Sequence, residues 1–217
     1  MDKRREGGEV GVRVAVLVSG SGTNLQALID RFKVQGPGSR VKIQLVISNN
    51  PGAYALVRAQ KAGIETLVLN DKDYKNRLEY AKALVRELKK RKINLVCLAG
   101  FMVILHPYFV RNFKNRILNI HPALLPSFGG KGMYGHYVHK AVLESGVRFS
   151  GCTVHFVNEG VDTGPIVLQK VVPVYENDTP QTLAKRILKF EHRIYPEAVR
   201  LFAEGRLKIE GKRVRIL

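Results

Sequence analysis

A carboxamide and an imidazole stand two residues apart in the run Asn119-Ile120-His121-Pro122-Ala123-Leu124-Leu125-Pro126. Side chains along a strand alternate between faces, so Asn119 and His121 point the same way. Pro122 cannot join a sheet ladder and Pro126 adds a second break, which places the pair at a strand end facing a loop. Converging there, the two groups can polarise a carbonyl; the same residues also suit a polar strand end that caps a turn. Asp162 brings a carboxylate in a glycine-flanked loop, Asn158-Glu159-Gly160-Val161-Asp162-Thr163-Gly164, where an Asx turn is the plainer role. A third candidate is Ser19-Gly20-Ser21-Gly22-Thr23-Asn24, whose glycines lie between a strand and a helix start. Backbone N–H groups and the helix dipole attract an anion at such a junction, and a phosphate fits. Neither the dinucleotide nor the NTPase fingerprint is met, because Leu25 stands three after Gly22 and no Gly-Lys-Ser/Thr follows. His136 and His139 are one helical turn apart, but no third ligand matches their spacing, so no metal is expected and both read as helix-surface residues.

The elements that must carry these groups alternate strand with helix. Val12 to Val18 is a short apolar, β-branched run of the kind buried on both sheet faces. Leu25, Leu28, Ile29 and Phe32 then follow at helical spacing. Strands are predicted at 41–47, 66–69, 93–98 and 117–120, with helices at 54–62 and 73–91, which is a parallel α/β pattern. The segment 99–107 is apolar, is broken by Gly100 and Pro107, and resists assignment; apolar loops at strand ends often line pockets. Further on, a glycine-rich loop at 129–135 leads to a helix at 137–145 and strands at 149–157 and 165–174. A long helix starts at Thr179 or Pro180, ends at Gly205 and is expected to kink at Pro196, and two short strands flank Gly211. In open α/β sheets ligands bind beyond the carboxyl ends of the strands, where the glycine loop, the apolar loop and the Asn-His-Pro loop all fall.

Composition narrows the class. The 217 residues, 45% of them apolar, suffice for a core without staples, and nothing in the composition marks a second domain. Cys97 and Cys152 sit in apolar runs and read as buried free thiols of a reducing compartment, which points to the cytoplasm. No apolar stretch reaches membrane-spanning length, and Met1 to Arg13 is charged with both signs. The excess of 36 Lys and Arg over 18 Asp and Glu gives a net charge of +18 and favours anionic partners. That charge is diffuse and has few aromatic residues among it, so phosphorylated or carboxylated small substrates are expected ahead of specific nucleic acid.

Six segments taken together resemble a known family. They are Ser-Gly-x-Gly-Thr-Asn-Leu-Gln at 19–26, Leu-Ala-Gly-Phe-Met at 98–102, the Asn-Ile-His-Pro run, Cys-Thr-Val-His-Phe-Val at 152–157, Val-Asp-Thr-Gly-Pro-Ile at 161–166 and Glu-His-x-Ile-Tyr-Pro at 191–196. In this order they are similar to phosphoribosylglycinamide formyltransferases, folate-dependent enzymes of purine synthesis, from about Arg13 to Arg206. The resemblance implies one formyltransferase domain over residues 1–217, an open, mostly parallel Rossmann-like sheet with helices on both faces and antiparallel strands toward the C-terminus. The N-terminal half would bind the ribonucleotide, and the C-terminal half would contribute the folate site and catalytic loop. It also implies a monomer or homodimer acting on glycinamide ribonucleotide, with 10-formyltetrahydrofolate as cosubstrate and no metal.

Mapped onto this chain, the backbone of Gly22, Thr23 and Asn24 would hold the phosphate and Glu191 the ribose hydroxyls. The folate would lie against Met102, Val103, Ile104, Leu105 and Asn119, and against Asn158, Glu159, Gly160, Val161 and Asp162, with Arg77 reaching its carboxylate. Asn119, His121 and Asp162 would be catalytic. Asn119 and a protonated His121 would donate to the developing oxyanion, while Asp162 favours the imidazolium and relays the amine proton, without a covalent enzyme intermediate. Two features depart from the pattern: Val103 stands where many relatives carry Arg, and the 129–135 loop is longer than in the shortest relatives. Formyltetrahydrofolate hydrolases and methionyl-tRNA formyltransferases resemble the same core. The former carry a domain before it and the latter one after it, where this sequence has about a dozen residues on either side.

Overall fold

The computed structural model describes residues 11–33 and 40–217. The chain begins β1 (Val12–Val18), α1 (Thr23–Lys33), β2 (Val41–Ser48), α2 (Tyr54–Lys61), β3 (Glu65–Val68), α3 (Arg77–Lys90) and β4 (Leu95–Leu98). It continues through α4 (Pro107–Asn112), β5 (Ile117–His121), α5 (His136–Glu144), β6 (Phe149–Phe156), β7 (Ile166–Pro173), α6 (Pro180–Ala203), β8 (Leu207–Glu210) and β9 (Arg213–Ile216). All nine strands form one sheet in the order β3-β2-β1-β4-β5-β6-β7-β9-β8. Pairing is parallel from β3 to β5 and antiparallel from β5 through β7; β7 meets β9 in parallel, and β8 and β9 close an antiparallel hairpin.

β1 shows why its run is apolar from Val14 to Val18. Val14, Val16 and Val18 face one core, which contains residues of α1, α2, α5 and α6; Ala15 and Leu17 face a second, which contains residues of α3 and α4. A strand covered on both faces has no polar side to present. From β1 the chain builds outward to β3 and then returns to place β4 on the other flank, so the order reverses between β1 and β4, and a crevice opens beyond their carboxyl ends.

One element starts later than the sequence predicts, one was left unassigned by it, and the long helix falls where it was expected. α3 starts at Arg77 rather than 73: Asp71–Asp73 form a separate 3-10 turn, and the Asn76 side chain caps the helix by accepting from Glu79 N–H at 3.0 Å. α4 is a helix in a stretch that the sequence left unassigned, started by Pro107 at its first position and by His106 Nδ1 accepting from Tyr108 N–H at 3.1 Å. α6 continues through Pro196, which is buried within a helix of 24 residues, and begins with a reciprocal Thr179/Thr182 capping box. Tyr195, fully buried beside that proline, reaches the carbonyls of Leu98 and Leu118 at 2.9 and 3.1 Å, tying α6 to the ends of β4 and β5.

Candidate functional site

β5 delivers Asn119 and His121 to the floor of a cleft of about 460 Å³, and its antiparallel partner β6 decides what they meet. The register sets Asn119 opposite His155 and His121 opposite Thr153. Thr153 secures the turn after β5: its Oγ1 donates to Ala123 O at 2.7 Å and accepts from Leu125 N–H at 3.1 Å. Asn119 Nδ2 lies 3.1 Å from His155 Nε2, and His155 Nδ1 lies 2.9 Å from Phe156 O. A carbonyl only accepts, so the proton of a neutral His155 sits on Nδ1, and Nε2 accepts from the carboxamide and fixes its rotation.

His121 is held in the opposite tautomer. Its Nε2 lies 2.8 Å from Phe128 O and must donate, which leaves Nδ1 facing Asp162 Oδ2 at 3.6 Å. Burial pushes the His121 pKa below its ordinary 6.5, outweighing the attraction of Asp162 and the Phe128 carbonyl. In the unliganded site this balance favours the neutral imidazole. Asp162 adopts φ 55°, accepts from Gly130 N–H at 3.0 Å and stands 3.5 Å from Asn119 Nδ2. Burial alone would raise its pKa, but the hydrogen bond from Gly130 N–H opposes burial and the net shift is downward, so the carboxylate is ionised.

The glycine loop closes one end of the cleft. Gly22 takes φ 71° with its Cα against α2, where an added Cβ would meet Ala55 Cβ at 2.6 Å. α2 braces the loop twice more, through Ala55 N–H to Gly20 O at 3.1 Å and Arg58 Nε to Ser21 O at 2.9 Å. Gln26 is the first residue to donate back, to Gly22 O at 2.9 Å, so the earlier N–H groups of α1 have no intrahelical acceptor. Asn24 Nδ2 donates to Glu191 Oε2 at 2.6 Å across 167 residues of sequence. Glu191 is buried, and burial raises its pKa against the opposing effect of that hydrogen bond. Asn24 Oδ1 is buried without a hydrogen-bond partner among the described residues.

The other end has an apolar wall, with Met102 and Ile104 48% and 45% exposed, facing the 158–162 loop. Thr23, Asn24, Met102, Val103, Ile104, Leu105, Asn119, His121, Asn158, Glu159, Gly160, Val161, Asp162 and Glu191 all line the cleft. Gly22 does not; it packs on α2. Nor does Arg77, which lines an adjoining cavity of about 350 Å³ behind residues 102–105 and donates to Ile104 O at 2.7 Å.

Sequence reasoning missed His155, the Phe128 carbonyl and the Gly130 N–H, and it misplaced His139. His139 is buried on the core-facing side of α5 beside Val138 and Val142, it lines the cleft, and burial pushes its pKa down to about 4. His136 is exposed, as expected. No grouping of three or more His, Cys, Asp or Glu that could hold a metal ion occurs among the described residues, nor any helix long and apolar enough to cross a membrane.

A family model described as formyl transferase matches residues 12–199. The phosphoribosylglycinamide formyltransferase of Haemophilus influenzae is 42% identical over 198 residues, covering 91% of this chain and 90% of that protein. The trifunctional purine biosynthetic protein adenosine-3 of Chironomus tentans is 49% identical over 200 residues, 92% of this chain but 14% of that protein. The chain thus spans less than a fifth of the trifunctional relatives' length, 14% and 19% in the first two. Among solved structures, glycinamide ribonucleotide transformylase 1 of Symbiobacterium toebii superposes with a TM-score of 0.89 at 50% identity, covering 95% of this chain and 94% of that one.

Proposed function

The chain belongs to the formyl transferase family, and we propose that it transfers the formyl group of 10-formyltetrahydrofolate to the amine of glycinamide ribonucleotide, in purine biosynthesis. One observation carries this reading: the buried His121 and His155 and the half-buried Asn119 and Asp162 form a cluster in the same cleft as the start of α1 and an apolar wall. The phosphate fits the N–H groups at the start of α1, and the ribose hydroxyls fit Glu191 with the unpartnered Asn24 Oδ1. A flat folate ring fits between residues 102–105 and 158–162, and Arg77 meets the far side of that wall at the Ile104 carbonyl.

The amine attacks the formyl carbon and negative charge builds on the formyl oxygen. Asn119 Nδ2, its rotation set by His155, donates one N–H to that oxygen; a donor of this type contributes about 3 to 4 kcal/mol in the transition state. The net proton transfer runs from the attacking amine to the departing folate nitrogen. His121 Nδ1 and Asp162 lie 3.6 Å apart and form the relay: the neutral imidazole takes up the proton, and the carboxylate stabilises the imidazolium until the proton is passed on. No enzyme nucleophile is required. The two buried unpaired thiols, Cys97 and Cys152, support a cytoplasmic setting, and we assign the chain as a monomer or homodimer without specific nucleic-acid or membrane partners.

Folate absorbance followed with and without glycinamide ribonucleotide tests the function. Turnover that depends on the ribonucleotide supports transfer. Equal turnover in its absence would make the chain a hydrolase.

A further inference from the structure

Ser19 belongs by motif to the glycine loop, yet its hydrogen bonds run to the opposite wall of the cleft. Its N–H donates to Gly100 O at 3.1 Å, and its Oγ accepts from Met102 N–H at 2.9 Å. The hydroxyl proton goes to Asn49 Oδ1 at 2.6 Å, and the Asn49 carboxamide is held in turn by donating to Asp71 Oδ1 at 3.1 Å. A hydroxyl has a single proton, so donating it to Asn49 leaves a lone pair for Met102. Asn50 Nδ2 also approaches Ser19 O at 3.3 Å. The carboxyl ends of β1, β2 and β4 thus meet at one serine.

Residues 101–105 belong to neither strand nor helix and leave β4 through Gly100 at φ 70°. Val103 offers no polar group, so any polar recognition by this wall falls to its backbone. That backbone is anchored at Met102 by Ser19 and at Ile104 by Arg77 Nη2, 2.7 Å from the carbonyl. Ser19 does not itself line the cleft.

We propose that Ser19 is a positioning residue for the folate wall: through Met102 N–H its hydroxyl sets the backbone that binds formyl-folate, and it has no direct part in holding phosphate. The proposal rests on the formyl-transfer reading above. Without the hydroxyl, residues 101–104 sample more conformations, and the folate must order them on binding.

Ser19→Ala should raise the KM for 10-formyltetrahydrofolate by about tenfold, the size of one net hydrogen bond, and leave the KM for the ribonucleotide within about twofold. Ser19→Thr, which keeps a hydroxyl, should restore most of the loss. Asn49→Ala, which leaves the serine but removes its acceptor, should raise the same constant by about threefold. In the unliganded protein, hydrogen exchange at Met102 should quicken in Ser19→Ala. A raised ribonucleotide KM with an unchanged folate KM would place Ser19 in the phosphate loop and overturn the proposal, as would faster Met102 exchange with both constants unchanged. Calorimetric titration with 10-formyltetrahydrofolate alone reads the effect without turnover. Weaker binding by Ser19→Ala therefore supports the clamp even if the ribonucleotide proves not to be the acceptor.

Discussion

Replacing Asp162 with Asn keeps the shape of the side chain and removes its charge. The backbone should tolerate the change, because Asn accepts the left-handed conformation seen at φ 55° and its oxygen can still accept from Gly130 N–H. What is lost is the partner of the imidazolium. At 3.6 Å, with an effective dielectric near 20, that attraction is about 4 to 5 kcal/mol at most, and water entering with substrate reduces it. Turnover should accordingly fall by about 10² to 10³, with both KM values within about threefold of wild type. The pH profile gives an independent check. His121 must be neutral to accept the proton, so activity is lost as pH falls through its folded pKa, which burial holds below 6.5 while Asp162 pulls it upward. Without that pull the acid limb moves to lower pH. The assay is initial rate with both substrates saturating, across the acid range. A loss under about tenfold, or an acid limb displaced upward, would refute the assignment of Asp162 as partner to His121.

Other perturbations probe the remaining parts. Gly22→Ala should destabilise the fold and impair the ribonucleotide site together, since its Cβ would collide with Ala55, whereas Gly20→Ala, with nothing within 4 Å of the new Cβ, should leave thermal stability nearly unchanged. Glu191→Gln should weaken ribonucleotide binding by about tenfold or more, read as KM. It should also stabilise the unliganded protein at alkaline pH: a carboxylate whose folded pKa is raised from 4.5 contributes stability below that value and loses it as pH rises through the folded pKa. The melting-temperature gap between wild type and this variant should therefore widen with pH. His155→Leu should cut turnover by about 10- to 100-fold with little change in either KM, because it frees the Asn119 carboxamide to rotate. Methionyl-tRNA should not be formylated, and any tRNA retention in a filter assay should vanish by about 200 mM salt, as expected of diffuse charge.

Much of this site was legible because it lies in local patterns. The apolar run of β1, the glycines before α1 and the prolines after β5 are short-range signals, and they place Asn119, His121 and Thr23 at strand or helix ends without long-range knowledge. His155 was not legible. It sits in an apolar strand as any core histidine would, and only the β5–β6 register puts it against Asn119. His139 was misread for a related reason: helical spacing groups it with His136 but cannot say which side of a short helix will pack against the core. The downward push of burial on the His121 pKa was not legible either, because desolvation depends on the surrounding packing and not on any one neighbour. The capping of α3 by Asn76 was present in the sequence but was not read from it.

The central claim is direct transfer between two substrates held in one cleft, and a carbon label follows it without assumptions about rate. With 10-formyltetrahydrofolate labelled at the formyl carbon and glycinamide ribonucleotide in excess, all label should appear on the ribonucleotide amine, equimolar with tetrahydrofolate. Neither labelled formate nor a labelled protein should accumulate. Label released as formate regardless of the ribonucleotide, or trapped on the protein when folate is supplied alone, would contradict the account.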